Sequence, residues 1–361
     1  MGDGPLRGVR VLELAAVLAG PFAGSLLQRL GAEVVRRLIP SMDVVLHNSR
    51  PGRMERLGLS GPECLALNPR LVYVGMSGFG TSGPMASRPA YDAIGQSATG
   101  LLDLFAQGRP PFMGPSLGDM ATGIMGAAGA FCGLAAVGRT GQGIVVETSM
   151  LESVIALIAD AFTQFAASGA PPDDDVRSRL SQIYMMAGSD GRYIATHLSS
   201  TDKFFRNLLG ALGLEHLASD PRFATYQGRI ENYPELRAEL EKVFVTRPST
   251  EWEQVLIDAD VPSSPVRSVG DVLVDPQVEF LGLFEHAGRQ VPFLRAPWTF
   301  DGVRPPVDAH GPLLGEHTMD VLGTVVDADE LAALRASRVV WTLDDYEASL
   351  SASGTPSDRN E

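Results

Sequence analysis

Residues 33–47 read EVVRRLIPSMDVVLH, and the fold turns on how they are divided. Glu33–Arg36 and Met42–His47 each read as a short apolar strand. Only Arg37, Leu38, Ile39, Pro40 and Ser41 lie between them. Parallel neighbours in a sheet need a crossover of about a dozen residues or more, usually helical. The spacing therefore predicts that these two strands are antiparallel or not adjacent, or that a crossover normal to such a fold is missing.

On the N-terminal side, Val9–Leu14 (VRVLEL) is a strand, followed by a loop ending in Ala19-Gly20-Pro21 and a helix through Leu30 closed by Gly31. On the other side, a helical stretch including Met54–Leu67 ends at Asn68-Pro69, and Leu71–Met76 (LVYVGM) is a further strand. Alternating strand and helix point to an α/β fold. From Asp119 to about Ala167, two helical patterns are joined by a strand at Ile144–Thr148. GAPPDDD at Gly169–Asp175 reads as a linker. Beyond it, Gly188–His197 reads as a hairpin. Three helical stretches follow at 201–218, 232–245 and 249–259, the last opened by Ser249-Thr250. This change of texture predicts a second domain, and SASGTPSDRNE at the C-terminus predicts a frayed tail.

The chain has 361 residues, 45% of them apolar, enough for sizeable cores. Asp and Glu number 43 against 29 Lys and Arg, a net charge of −14, which disfavours a nucleic-acid partner. An anionic small molecule stays open, because a local arginine pocket can sit in an acidic surface. Cys64 and Cys132 are the only cysteines, read as buried thiols in a reducing compartment, and MGDGPLRG lacks a signal-peptide pattern, so cytoplasm is expected. Met120–Gly138 carries no charge over nearly a bilayer span. Its glycines at 123, 126, 129 and 133 instead suggest a closely packed interior helix, with no membrane.

No CxxC, HExxH, GxSxG or Walker loop occurs, and none of the six histidines (His47, His197, His216, His286, His310, His317) stands at ligand spacing on one helix, so no metal is expected. Asn48-Ser49-Arg50-Pro51-Gly52 follows an apolar strand directly, which puts Arg50 at the carboxyl end of the sheet, where open α/β folds bind ligands. Its donor fork suits a phosphate or carboxylate; a surface arginine in a turn is the alternative. In Gly118-Asp119-Met120-Ala121-Thr122-Gly123, Asp119 precedes a long helix. Its carboxylate can cap the helix, or serve as a nucleophile that is ionised without needing a base. The flanking glycines allow close approach of a thioester.

Taken in order, these motifs resemble the class III CoA-transferase family (CaiB/BaiF type), which includes formyl-CoA transferases and α-methylacyl-CoA racemases. The landmarks are GVRVLELAAVLAGPFAG, DVVLHNSRPG with ERLGL, LNPRLVYVGMSGFG, RPAYDAIGQ, LGDMATG, GRTGQGIVVETSMLES, DPRFAT, VPSSPV, DPQV and LGEHT, from Leu6 to about Leu322. The resemblance implies a Rossmann-like large domain built from both chain ends, here 1–180 and 305–361, and a smaller α+β middle domain, 181–304. It also implies an interlocked homodimer. Asp119 matches the nucleophilic aspartate, and Arg50, Asn48, Ala19, Gly20, Tyr91 and Gly118 fall at CoA-binding or acyl-pocket positions. Coenzyme A, carried as acyl-CoA, and a carboxylic acid are then substrates, with no tightly bound cofactor.

The departures carry information as well. Racemases of the family pair the aspartate with a histidine where this chain has Tyr91, and tyrosine, with an ordinary pKa of about 10, suits α-proton exchange poorly. Transfer is therefore expected over epimerisation. Leu18 stands where the formyl-CoA transferases have glutamine, and their glycine-rich loop has no clear counterpart. The family also has some dozens of residues after the second strand that help to hold the adenine and phosphates of CoA. Here the link at 37–41 replaces them, so a member that has lost part of its CoA site is the remaining alternative.

Overall fold

A computed structural model of the chain describes residues 5, 6, 8–14, 31–105, 114–169, 176–198, 202–285, 293–305 and 315–353. Four strands form one parallel sheet in the order β1 (Val11–Leu14), β2 (Val44–His47), β3 (Val72–Ser77) and β4 (Ile144–Ser149). Val11 pairs with Val44, Val44 with Val72, and Val72 with Ile144. The central strands are largely apolar and buried because both faces are covered. Val44, Val72 and Val74 pack on one face with Ala130 and Val137; Val45 and Tyr73 pack on the other with Met54, Leu59 and Cys64.

The stretch at 33–47 resolves differently from its sequence reading. Glu33–Arg36 is not a strand: it lies inside helix α1 (Gly31–Leu38), which runs through a short 3-10 turn, Ile39–Ser41, into β2. The reason is topological. β2 has β1 on one side and β3 on the other, both parallel, so a strand at 33–36 has no place beside it, and the chain from Leu14 to Val44 serves as the crossover that parallel neighbours need. Helical spacing turns Val35 and Ile39 toward the core, with Leu38 and Ile39 buried. Arg36 donates to the Gly58 carbonyl, and Arg37 pairs with Glu330 at 2.8 Å. The expected close of the preceding helix at Gly31 is replaced by the start of α1, and that preceding helix lies outside the described residues.

Between β2 and β3 come the single-turn α2 (Arg53–Arg56) and α3 (Gly61–Leu67), the latter opened by a Ser60/Glu63 capping box. Between β3 and β4 come α4 (Asp92–Ala98) and the long α5 (Leu117–Thr140). Of the four glycines expected to pack closely, Gly126, Gly129 and Gly133 do, whereas Gly123 faces open space. A Cβ on Gly126 would lie 2.5 Å from Met76 Sδ, one on Gly129 2.8 Å from Val146 Cγ1, and one on Gly133 would overlap Val72 Cγ1. Only one side of α5 is buried, however: Met120 and Ile124 are 62% and 63% exposed, and Cys132 is exposed rather than buried. The expected interior helix is therefore an interior face with an open apolar back, and only Cys64 fits the expected buried thiol.

Gly133→Val should cost about 1–3 kcal/mol by overpacking against Val72. Gly138→Ala, on the same helix with nothing within 4 Å of its Cβ, should stabilise by roughly 0.5–1 kcal/mol through helix propensity. Urea unfolding of the two variants checks the packing assignment; equal effects would refute it.

By its contacts the chain divides into Met1–Asp160 with Gly282–Glu361, and Ala161–Leu281. Both divisions fall earlier than the sequence boundaries at 180/181 and 304/305. The second unit has the expected hairpin, Ile183–Ala187 with Tyr193–His197, extended by Ser263–Pro265. Its core is Tyr184, Ile194, Leu208, Leu236, Phe244 and Trp252. The helix at Ser249–Asp258 is not capped by Ser249 or Thr250. Asp190 in the hairpin turn accepts from the Ser249 N–H at 3.1 Å and from its hydroxyl at 2.8 Å.

Candidate active site

Helix α5 runs opposite to β3, since Gly126 meets Met76 near the end of the strand and Gly133 meets Val72 at its start. Asp119 lies seven residues before Gly126. At 1.5 Å per residue, that puts it about 10 Å further toward the carboxyl edge of the sheet. Asp119 is the third residue of α5, where helix N–H groups have no intrahelical partner.

Another residue provides the cap. Asp92, 9% exposed at the start of α4, accepts from the Gly118 N–H at 2.8 Å and the Asp119 N–H at 3.2 Å through Oδ1. Its Oδ2 accepts from Gln96 Nε2 at 2.6 Å, and Gln96 Nε2 is also 3.3 Å from the Pro115 carbonyl. Ser116, at the N-cap position, makes no side-chain cap. Gly118 permits the approach, because a Cβ there would lie 3.1 Å from Asp92 Oδ1. The alternative that Asp119 caps its own helix is therefore not what the structure adopts. Its carboxylate makes no hydrogen bond among the described residues and stays open to solvent. Packing around its base, and second the charge of Asp92, raise its pKa above the ordinary aspartate value. Asp119 thus carries a carboxylate that is less stabilised as an anion than usual and is not tied up by its own backbone.

Tyr91 immediately precedes Asp92, is 68% exposed, and its carbonyl accepts from the N–H groups of Ile94 and Gly95. Gly78, just past β3, has no room for a Cβ because Ala90 lies against it. Tyr91, Gly118 and Asp119 are therefore brought together at the carboxyl edge through Asp92. Asn48 and Arg50 leave the same edge at the end of β2, both exposed. Ala19 and Gly20, with Leu18, lie outside the described residues.

Sequence reasoning missed Asp92 and Gln96, although their i, i+4 spacing in RPAYDAIGQ marks two groups on one helix face. It also missed how Arg50, Arg53 and Arg56 crowd into seven residues. None of the three has an ion pair among the described residues, in a chain of net charge −14. Among the described residues, no cluster of His, Cys, Asp or Glu is suited to a metal.

Beneath this turn, burial pushes the His47 imidazole down to about 4, with Glu55 opposing the shift. The unfolded imidazole titrates near 6.5, so the folded state loses stability as pH falls from about 6.5 toward 4, by roughly 3 kcal/mol at 1.36 kcal/mol per unit. In urea titrations between pH 7 and 4, His47→Asn should lose less stability than the wild type by about that amount; parallel losses would refute the assignment.

The fold is an open parallel α/β sheet whose carboxyl edge carries a carboxylate without a hydrogen bond, and a turn of arginines without ion pairs, among the described residues. The chain belongs to CoA-transferase family III, whose sequence model matches in two pieces, residues 6–36 and 34–318. It is 30% identical to the succinyl-CoA–D-citramalate CoA-transferase of Chloroflexus aurantiacus over 403 residues, covering 93% of this chain and 98% of that relative. It is 27% identical to the succinate–glutarate CoA-transferase of Agrobacterium fabrum, over 91% of this chain and 97% of that one. A crystal structure of a CaiB/BaiF family protein from Brucella suis superposes with a TM-score of 0.74 at 28% identity, covering 89% of this chain and 99% of that chain. The 403-residue alignment exceeds the 361 residues of this chain, so the relative holds residues without a counterpart here. The two matched pieces meet inside α1, at the short link noted from spacing.

Proposed function

We propose that this protein moves CoA from an acyl-CoA thioester to a carboxylic acid through an aspartyl-CoA thioester on Asp119. The observation that carries the reading is that Asp92 takes over the helix cap and leaves the Asp119 carboxylate available. In the first step an Asp119 carboxylate oxygen attacks the thioester carbonyl and CoA leaves as thiolate, giving a mixed anhydride. The thiolate then attacks the Asp119 carbonyl and expels the acyl group as a free carboxylate. The acceptor carboxylate attacks the aspartyl thioester carbonyl and expels CoA thiolate to give a second mixed anhydride; the thiolate then attacks the acceptor acyl carbonyl and releases the Asp119 carboxylate. Proton bookkeeping is not needed, because every nucleophile and leaving group is an anion, and no metal or tightly bound cofactor enters.

In this reading Arg50 contacts CoA phosphate, with Asn48 beside it, Gly118 allows the thioester to approach, and Tyr91 lines the acyl pocket. Succinyl-CoA is the donor to try first, since succinate or its thioester stands in the names of both relatives above. A second copy of the chain fits the open apolar back of α5, where Met120, Ile124 and Phe131 are exposed. Incubation with succinyl-CoA followed by hydroxylamine should leave a hydroxamate at position 119. An active protein without that mark would remove the aspartyl intermediate. α-Proton exchange on a 2-methylacyl-CoA without CoA transfer would establish the epimerase alternative instead.

A further inference from the structure

Behind the arginine turn lies a histidine that the proposed chemistry does not use. His47 is the last residue of β2, is 9% exposed, and its ring centroid is 5.2 Å from that of Tyr73. Its partner on β3 is Gly75, and a Cβ there would lie 3.1 Å from His47 Nε2. The glycine thus forms a slot in which the imidazole sits across the sheet edge. His47 Nδ1 accepts the Ser49 N–H at 3.2 Å. A ring nitrogen that accepts carries no proton, so this contact requires the neutral imidazole with its proton on Nε2.

Ser49 has already left the ladder, which ends at His47, so its N–H needs a partner outside the sheet. The imidazole is that partner, and it sets the direction in which Asn48, Ser49 and Arg50 leave the strand. Beyond it the backbone is fixed by the Arg53 N–H to Arg50 carbonyl bond at 3.1 Å and by Gly52 at φ +81. Held at both ends, the turn fixes the backbone from which the exposed Arg50 side chain extends, rather than leaving it on a free loop.

We propose that His47 is a positioning residue for CoA: by holding the Ser49 N–H it aims Arg50 at the phosphates, so affinity for CoA depends on an acceptor at position 47. The proposal rests on the reading of this chain as a CoA-transferase. Its test is calorimetric binding of CoA to the full chain and to His47→Leu, His47→Asn, Arg50→Ala and the His47→Leu/Arg50→Ala pair. Leucine keeps the branching of the side chain without an acceptor, whereas asparagine puts Oδ1 where Nδ1 stands.

His47→Leu should weaken CoA roughly tenfold, the scale of one lost hydrogen bond, and His47→Asn should restore binding to within about twofold. In the Arg50→Ala background, His47→Leu should add nothing, because the two act as one unit. A loss that is the same with or without Arg50, or that asparagine does not restore, would reduce His47 to support of the fold and overturn the proposal. Hydrogen exchange at the Ser49 amide separates this outcome from failure of the underlying reading. If the wild type binds no CoA, the transferase reading fails. If Ser49 exchanges equally fast in wild type, His47→Leu and His47→Asn, the held turn itself is refuted whatever CoA does.

Discussion

Asp119→Asn should reduce CoA transfer on the order of a thousandfold or more, the scale seen when a covalent nucleophile is removed. The carboxamide keeps the shape of the side chain but cannot add to a thioester and leave again as an anion. Stability should hardly change, within about 0.5 kcal/mol, because the Asp119 carboxylate supports nothing structural. Its backbone N–H is the group that Asp92 holds, and the substitution leaves that bond in place. The measurement is steady-state transfer from succinyl-CoA to a dicarboxylic acceptor, beside a urea unfolding curve on the same protein. Full turnover with a normal unfolding curve would place the nucleophile elsewhere. Lost turnover together with lost stability would mean that Asp119 caps its helix after all, contrary to the hydrogen bonds.

The parts of this fold that were legible in the sequence are those fixed by local pattern. The apolar runs of β2 and β3 are buried on both faces, and Gly126, Gly129 and Gly133 of α5 fall on the side that meets Met76, Val146 and Val72. The parts that were not legible depend on distant partners. EVVR suits a strand locally, but β2 is already paired with β1 and β3, so EVVR has no strand partner there and lies instead in the helix of the crossover. Cys132 sits in an apolar run, yet its own side of the helix faces outward in the single chain, while Ala130 and Gly133 beside it are buried. Asp119 could be located from its glycines and its place before a helix. The fact that frees its side chain is a bond from Asp92, 27 residues earlier, which periodicity does not reveal.

The short link bears on recognition as well as on fold. The resemblance to the family implies that the residues absent here help to hold the adenine and phosphates of CoA. In this chain α1 spans the junction and closes the crossover, so the sheet and the carboxyl edge survive the loss. Under the proposed function, contacts to the CoA phosphates would fall to the turn after β2, where Arg50, Arg53 and Arg56 stand without ion pairs among the described residues. Three arginines close together, without ion pairs among the described residues of an acidic protein, make a local positive patch that suits a polyanion.

Asp92→Ala should act on both stability and turnover. It removes the acceptor for two helix N–H groups, one of them on the buried Gly118, and for Gln96. The cost should be about 1–3 kcal/mol, the combined range for a lost cap and a stranded buried donor. With the first turn of α5 released, Asp119 loses its fixed position, and kcat should fall on the order of tenfold to a hundredfold. Asp92→Asn separates geometry from charge. Its oxygen can still accept both N–H groups, while its amide nitrogen meets Gln96 Nε2, a donor already aimed at that site. Desolvation still raises the Asp119 pKa, but the second contribution, the charge of Asp92, is gone. The acid limb of the pH–rate profile reports deprotonation of Asp119, so in Asp92→Asn it should move to lower pH, with a modest fall in plateau rate as the nucleophile becomes less basic. A limb that stays in place would show that the two carboxylates are not coupled. A limb that moves up would mean that Asp92 stabilises the Asp119 anion, opposite to the sign their proximity requires.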